Sequence, residues 1–144
     1  MSYWRSLATA SALTVAFAAG PTAAQQAQHA WKLQTEWGGG PLMELGAKAF
    51  AERIRFLTDG RIEVQPLPAG TLAKGLEART AVANGVAEAC HTWIGYDWGK
   101  DKTTVLFGGF SGSMDSERML HWIYEGGGLE LWRQFNDEKF GLVS

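Results

Sequence analysis

The chain has 144 residues, with 13 Lys and Arg against 15 Asp and Glu, a formal charge of −2, and 46% hydrophobic residues. That length can build one ordinary domain with its own core, and a mildly acidic balance without a basic stripe argues against a nucleic-acid partner. A single cysteine, Cys90, excludes an internal disulfide, so stability must come from packing.

Met1 to Arg5 carries one positive charge, Ser6 to Gly20 is uncharged and rich in Ala, Leu, Val and Phe, and Pro21-Thr22-Ala23-Ala24 supplies small residues. A charged start, a short apolar run and a small-residue exit form the pattern of an export signal. The run is shorter than the roughly 20 apolar residues of a membrane span, and Gly20-Pro21 would break a helix. Residues 1–24 are therefore expected to be a signal peptide cleaved after Ala24, with Ala27 the second choice, and the domain is expected in the periplasm. Loss of Arg5 would leave 12 basic residues against 15 acidic ones, a charge of −3.

Trp31 to Thr35 alternates apolar and polar residues, the period of a half-buried strand. Gly38-Gly39-Gly40-Pro41 ends it and opens a helix, since Pro suits a first helical turn. Leu42, Leu45, Ala49, Phe50, Ile54 and Leu57 then recur at helical spacing, opposite Glu44, Lys48 and Glu52. Asp59-Gly60 closes the helix with a left-handed glycine cap. Arg61 to Gln65 reads as a second strand stopped by Pro66 and Pro68. A second helix from about Lys74 to Asn84 presents Leu76, Thr80 and Ala83, and Ala87 to Trp93 reads as a third strand. Strand, helix, strand, helix, strand is the βαβαβ order of an open parallel sheet flanked by helices. Tyr96 to Gly112 reads as a Gly- and aromatic-rich loop. Ser113 is expected to cap a helix with Asp115 and Glu117 in its first turn, and a last helix runs from Leu129 to Phe140.

Catalytic constellations do not assemble. Cys90 and His91 are adjacent in a strand and point to opposite faces, so the better reading is a buried structural thiol beside a hydrogen-bonded histidine. Gly109-Phe110-Ser111-Gly112-Ser113 nearly spells a nucleophile elbow, but Ser113 stands where its second glycine belongs. The three histidines, His29, His91 and His121, lack metal-ligand spacing. Asp97 and Asp101 beside Lys100 and Lys102 read as a solvated loop. Gly38-Gly39-Gly40 between strand and helix could present backbone N–H groups to an anion, a weak signal because an ordinary tight connection needs the same glycines.

Several stretches nevertheless form a recognisable series. Leu57-Thr58-Asp59-Gly60-Arg61-Ile62, Pro68-Ala69-Gly70-Thr71-Leu72 and Ala81 to Glu88 resemble, in order and spacing, the opening of the solute receptors of TRAP (tripartite ATP-independent periplasmic) transporters. Tyr96-Asp97-Trp98-Gly99-Lys100 and Gly126-Gly127-Gly128-Leu129-Glu130-Leu131-Trp132 resemble the branch that binds α-keto acids. The resemblance covers residues 31–144. It implies an α/β, periplasmic-binding-protein-like (type II) first lobe over residues 25–144, truncated before the second lobe of a non-enzymatic receptor. Such a receptor closes on a small organic acid and hands it to TRAP membrane subunits driven by an ion gradient. In this family a second-lobe arginine salt-bridges the carboxylate and second-lobe residues assist metal binding; both would lie beyond Ser144. The resemblance thus implies no cofactor in this stretch, allows a bound metal ion in the complete receptor, and allows a homodimer of it. Where the family has a tyrosine pair before the tryptophan, this chain has Tyr96-Asp97.

Ligands of open α/β sheets sit at the carboxyl ends of strands. By position the substrate-binding candidates are Trp37 after the first strand, Tyr96 and Trp98 after the third, and Phe107; Trp37 and Tyr96 could equally fill a core, and core packing is the better reading for Trp98 and Phe107. Six tryptophans after residue 24 also motivate a competing reading, a self-contained secreted carbohydrate-binding module. Ser111 and His121 motivate a third, a small secreted hydrolase.

Overall fold

Strand β1, His29–Thr35, is the middle strand of a three-stranded parallel sheet with order β2-β1-β3, in a computed structural model that describes residues 27–144. The expected signal peptide and its cleavage after Ala24 lie outside the described residues. Alternation predicts one wet face for β1, yet Leu33, Gln34 and Thr35 are 2%, 1% and 0% exposed. A central strand is covered on both faces, so its polar side chains must find partners inside. Gln34 Nε2 donates to Thr35 O at 2.7 Å and Pro68 O at 3.0 Å, and Gln34 Oε1 accepts from Leu72 N at 3.0 Å. Thr35 Oγ1 donates to Leu67 O at 2.9 Å.

Strand β2, Ile62–Leu67, continues through Pro66, which pairs with Leu33, whereas the proline was expected to end it. An edge strand tolerates a missing N–H. Strand β3, Ala89–His91, is shorter than expected and sets His91 beside Thr35.

The first crossover begins as a π-type turn, Leu42–Lys48, and continues as helix α1, Ala49–Leu57. Its buried residues are Met43, Ala47 and Ala51, with Ile54 partly covered; Leu45 from the expected stripe is 80% exposed. The wider π turn rephases the helix, and small alanines let it lie close to Leu33 and Val64 while the bulkier Leu and Phe residues stay outside. Gly60, at φ 74°, closes the helix as expected, its N–H donating to Arg55 O at 2.8 Å.

A 3-10 turn, Gly75–Glu77, precedes the short helix α2, Ala78–Ala83. That kink also shifts the buried face, from the expected Leu76, Thr80 and Ala83 to Ala78, Arg79 and Ala81. The expected loop after β3 is instead a 3-10 turn, Ile94–Gly99, and helix α3, Thr104–Gly108. Helix α4, Ser116–Glu125, is capped by Asp115 rather than Ser113, its carboxylate accepting from Arg118 N at 2.9 Å. Helix α5 spans Gly128–Phe140. Phe107 joins these helices, with ring centroids 5.9, 5.2 and 5.4 Å from Trp122, Trp132 and Phe135. Among the described residues no helix is long and apolar enough to cross a membrane.

Candidate functional site

The carboxyl ends of β1 and β3 bring together residues 54 or more positions apart. Trp37 follows β1, and its backbone is held on two sides, with Ala69 N donating to Trp37 O at 3.0 Å and Thr35 Oγ1 accepting from Trp37 N at 3.3 Å. Its indole Nε1 donates to Nδ1 of His91, the last residue of β3, at 3.0 Å. The two rings meet edge to face, 5.5 Å apart, and Tyr96 lies 6.3 Å from Trp37. Trp93 completes the row, 5.2 Å from Tyr96, with its own Nε1 donating to Gly108 O at 2.9 Å. The result is an aromatic wall at the strand ends, where open α/β sheets bind ligands.

Two of the four expected residues, Trp37 and Tyr96, are neighbours in this wall. Trp98 sits on the same 3-10 turn but is 61% exposed and has no ring partner among the described residues. Phe107 lies apart from the wall, in the helix cluster with Trp122, Trp132 and Phe135. Sequence reasoning missed His91 and Trp93 as members of the row. The signal was present, since both stand at the end of the third strand, where Trp37 stands on the first.

The turn that carries Tyr96 also holds an ionic network that corrects the solvated-loop reading of Asp97. Asp97 is 2% exposed, with Oδ2 3.1 Å from Nε of the buried Arg79 and Oδ1 2.9 Å from Lys100 Nζ. The Arg79 approach is off the N–H axis, so Nε has an ion-pair partner but no hydrogen bond among the described residues. Arg79 Nη2 donates to Asn136 Oδ1, and its guanidinium lies 4.2 Å from the Phe140 ring centroid. Burial lowers the Arg79 pKa, and Asp97 opposes the shift. Glu36, between β1 and Trp37, accepts from Thr92 Oγ1 and, at 3.3 Å, from Ala78 N. Burial raises its pKa despite those bonds.

Cys90 and His91 form no thiolate–imidazole pair. Burial pushes the Cys90 thiol up to about 11, so it stays protonated at neutral pH, and His91 Nδ1 is engaged by Trp37. Both line an apolar hollow of about 300 Å³ with Leu33, Gly46, Ala47, Phe50 and Ala89. A larger groove of about 550 Å³ lies at the opposite end of the strands, lined by Glu52, Asp59 and Glu63 around Arg55, and its excess of carboxylates suits no anion. Metal chemistry finds no donor set here: among the described residues no three of His, Cys, Asp and Glu gather to hold an ion. The carboxylates nearest the wall, Glu36 and Asp97, are already bonded.

Gly46 is what lets His91 stand where it does. A Cβ at Gly46 would lie 2.6 Å from His91 Cε1. Alanine should favour the helix by about 0.5–1 kcal/mol, but overpacking costs about 1–3 kcal/mol. Gly46→Ala is therefore expected to lower stability by about 1 kcal/mol net, read by urea denaturation; a stabilised variant would show that His91 moves aside freely.

Residues 33–143 match the family model of bacterial extracellular solute-binding proteins, family 7. The chain belongs to this family. Over 110 residues the family 7 chain is 30% identical to a monocarboxylate 2-oxoacid-binding periplasmic protein of Nostoc sp., covering 74% of this chain and 30% of that one. A TRAP transporter solute-binding protein of Bordetella bronchiseptica, with calcium and picolinate, superposes with a TM-score of 0.72 at 27% identity, over 79% of this chain and 34% of the other. A TRAP periplasmic solute-binding protein of Pseudoalteromonas atlantica, with sodium and pyruvate, gives the same TM-score and identity over 77% and 34%. The chain thus spans about a third of the length of these relatives, and its α/β architecture with a parallel sheet is that of their matching portion.

Proposed function

We propose that this family 7 chain forms the first-lobe wall of a periplasmic TRAP receptor that captures a small monocarboxylate of the 2-oxo acid class for uptake by membrane subunits. The observation that carries the reading is the row Trp37, His91, Tyr96 and Trp93 at the carboxyl ends of β1 and β3. The relatives described as binding 2-oxoacids, pyruvate or picolinate point to the same ligand class. Flat apolar rings suit the planar carbon frame of such acids, and the Tyr96 phenol is a donor of the kind a carboxylate accepts. The strong contact to a carboxylate is a charge-assisted one. Arg79 cannot supply it, being buried and engaged by Asp97 and Asn136. A cation from the rest of the receptor completes the site, and closure of a second lobe brings it there.

Calorimetric titration of pyruvate into the purified receptor containing this lobe tests the reading. Trp37→Ala is expected to weaken binding about 5- to 30-fold, an effect of about 1–2 kcal/mol. Tyr96→Phe, which removes one neutral hydrogen bond, should cost about 3- to 10-fold. Unchanged affinity in both variants, or saturable binding of a sugar in place of pyruvate, would overturn it.

A further inference from the structure

We propose that His91 is the positioning residue for Trp37: as a neutral imidazole it holds the indole in the wall, and on protonation it lets the indole go. An indole N–H can only donate. With Trp37 Nε1 donating to Nδ1 at 3.0 Å, that nitrogen must present a bare lone pair, and the ring proton sits on Nε2. A protonated imidazole carries N–H on both nitrogens, so two donors would face each other across the same gap.

The surroundings leave the imidazolium little room and, among the described residues, no counter-charge. Gly46 closes one edge of the ring, where even a Cβ would lie 2.6 Å from Cε1. Leu33, Ala47, Phe50, Ala89 and Cys90 line the adjoining hollow, and the Cys90 thiol is neutral. From β1 the nearest carboxylate, Glu36, is turned to Thr92 and Ala78. On the π-type turn Glu44 and Lys48 pair with each other at 2.8 Å on the exposed side. Beyond Tyr96, Asp97 is held by Arg79 and Lys100.

Burial accordingly lowers the His91 pKa below its ordinary 6.5, with no ion partner among the described residues to offset it. A histidine whose folded pKa is depressed contributes fully above its unfolded pKa. That contribution is lost as pH falls from about 6.5 down through the folded value. The Trp37 backbone is tied to Thr35 and Ala69, so the indole is the part that responds, and its contact with Tyr96 goes with it. The consequence for ligand capture rests on the function proposed above; the coupling between the two side chains does not.

Nuclear magnetic resonance of the ¹⁵N-labelled protein tests the coupling without any ligand. At pH 8 a scalar coupling across the hydrogen bond, between the Trp37 indole nitrogen and His91 Nδ1, is expected. It should vanish on acidification with the His91 titration, at a midpoint below 6.5, while the backbone amide spectrum stays folded. His91→Gln keeps an acceptor that does not titrate, so the Trp37 indole signal of that variant should not shift over the same range. A proton on Nδ1 at pH 8, or a coupling that survives protonation of His91, would overturn the proposal on the wild type alone, whether or not the variant folds. With pyruvate as probe, wild-type affinity should fall more than threefold further than that of His91→Gln between pH 7.5 and the His91 midpoint. Equal slopes would overturn the extension to ligand capture, whereas no pyruvate binding at any pH would overturn the functional reading and leave the coupling to stand on its own result.

Discussion

Replacing Arg79 by alanine is expected to cost about 3–5 kcal/mol of stability, a large share of the roughly 5–15 kcal/mol that holds a domain together. The reason is what remains behind. Asp97, 2% exposed, would keep a single cationic neighbour, Lys100, whose side chain is 39% exposed and already screened by water. Asn136 Oδ1 would lose its donor, and the Phe140 ring its flat cationic neighbour. A buried pair is not in itself a strong source of stability, because desolvation offsets much of the attraction. Removing both charges at once, in Arg79→Met with Asp97→Leu, should therefore recover more than half of the loss. Urea denaturation of the two single variants and the double variant closes the cycle. A loss below about 1 kcal/mol for Arg79→Ala would mean that the network is hydrated and resembles a surface pair. The network also ties α5 to the turn that carries Tyr96, so Arg79→Ala should loosen the aromatic wall although it touches none of its rings.

Gln34→Leu should cost about 1–3 kcal/mol, chiefly from the half-buried Leu72 amide left without its acceptor. Leucine has nearly the shape of glutamine but cannot serve Leu72 N, which Gln34 bonds at 3.0 Å, whereas Pro68 O keeps Thr71 N and Oγ1 as donors. The segment 68–72 lies at the surface and can turn that amide to water, which sets the lower end of the range. Faster hydrogen exchange at the Leu72 amide is the specific sign, since a general loss of stability would speed the core strands as well. Ala69 N donates to Trp37 O, so release of this segment also frees one tie on the wall. An unchanged Leu72 exchange rate would show that the loop is held from elsewhere.

Periodicity and punctuation made much of this fold legible. The strand–helix order and the glycine at residue 60 follow from local pattern, because each depends on residues a few positions apart, and that order in turn implies a parallel sheet. The family series from Leu57 to Trp132 pointed to the solute receptors, and family 7 membership bears it out. Helix faces were less legible. Leu42, Leu45 and Phe50 look like a core stripe on an ideal helix, but the π-type turn at Leu42–Lys48 displaces the phase and buries Met43, Ala47 and Ala51 instead. Pro66 reads as a stop only until the strand is known to lie at an edge.

The sequence by itself determined that this is an α/β chain with aromatic residues after its strands, Trp37 following the first and Tyr96 the third. Only the tertiary structure decided which groups share a microenvironment. Arg79 and Asp97 are 18 positions apart and read as two ordinary charges until α2 and the turn after β3 bury them against each other. His91 and Trp37 stand 54 positions apart, yet the parallel register of β1 and β3 places His91 beside Thr35, and the missing side chain of Gly46 leaves room for the ring. Local pattern sets which conformation each segment prefers, but hydrogen bonds, ion pairs and the loss of water act through space, and so the chemistry of the wall waited on the fold.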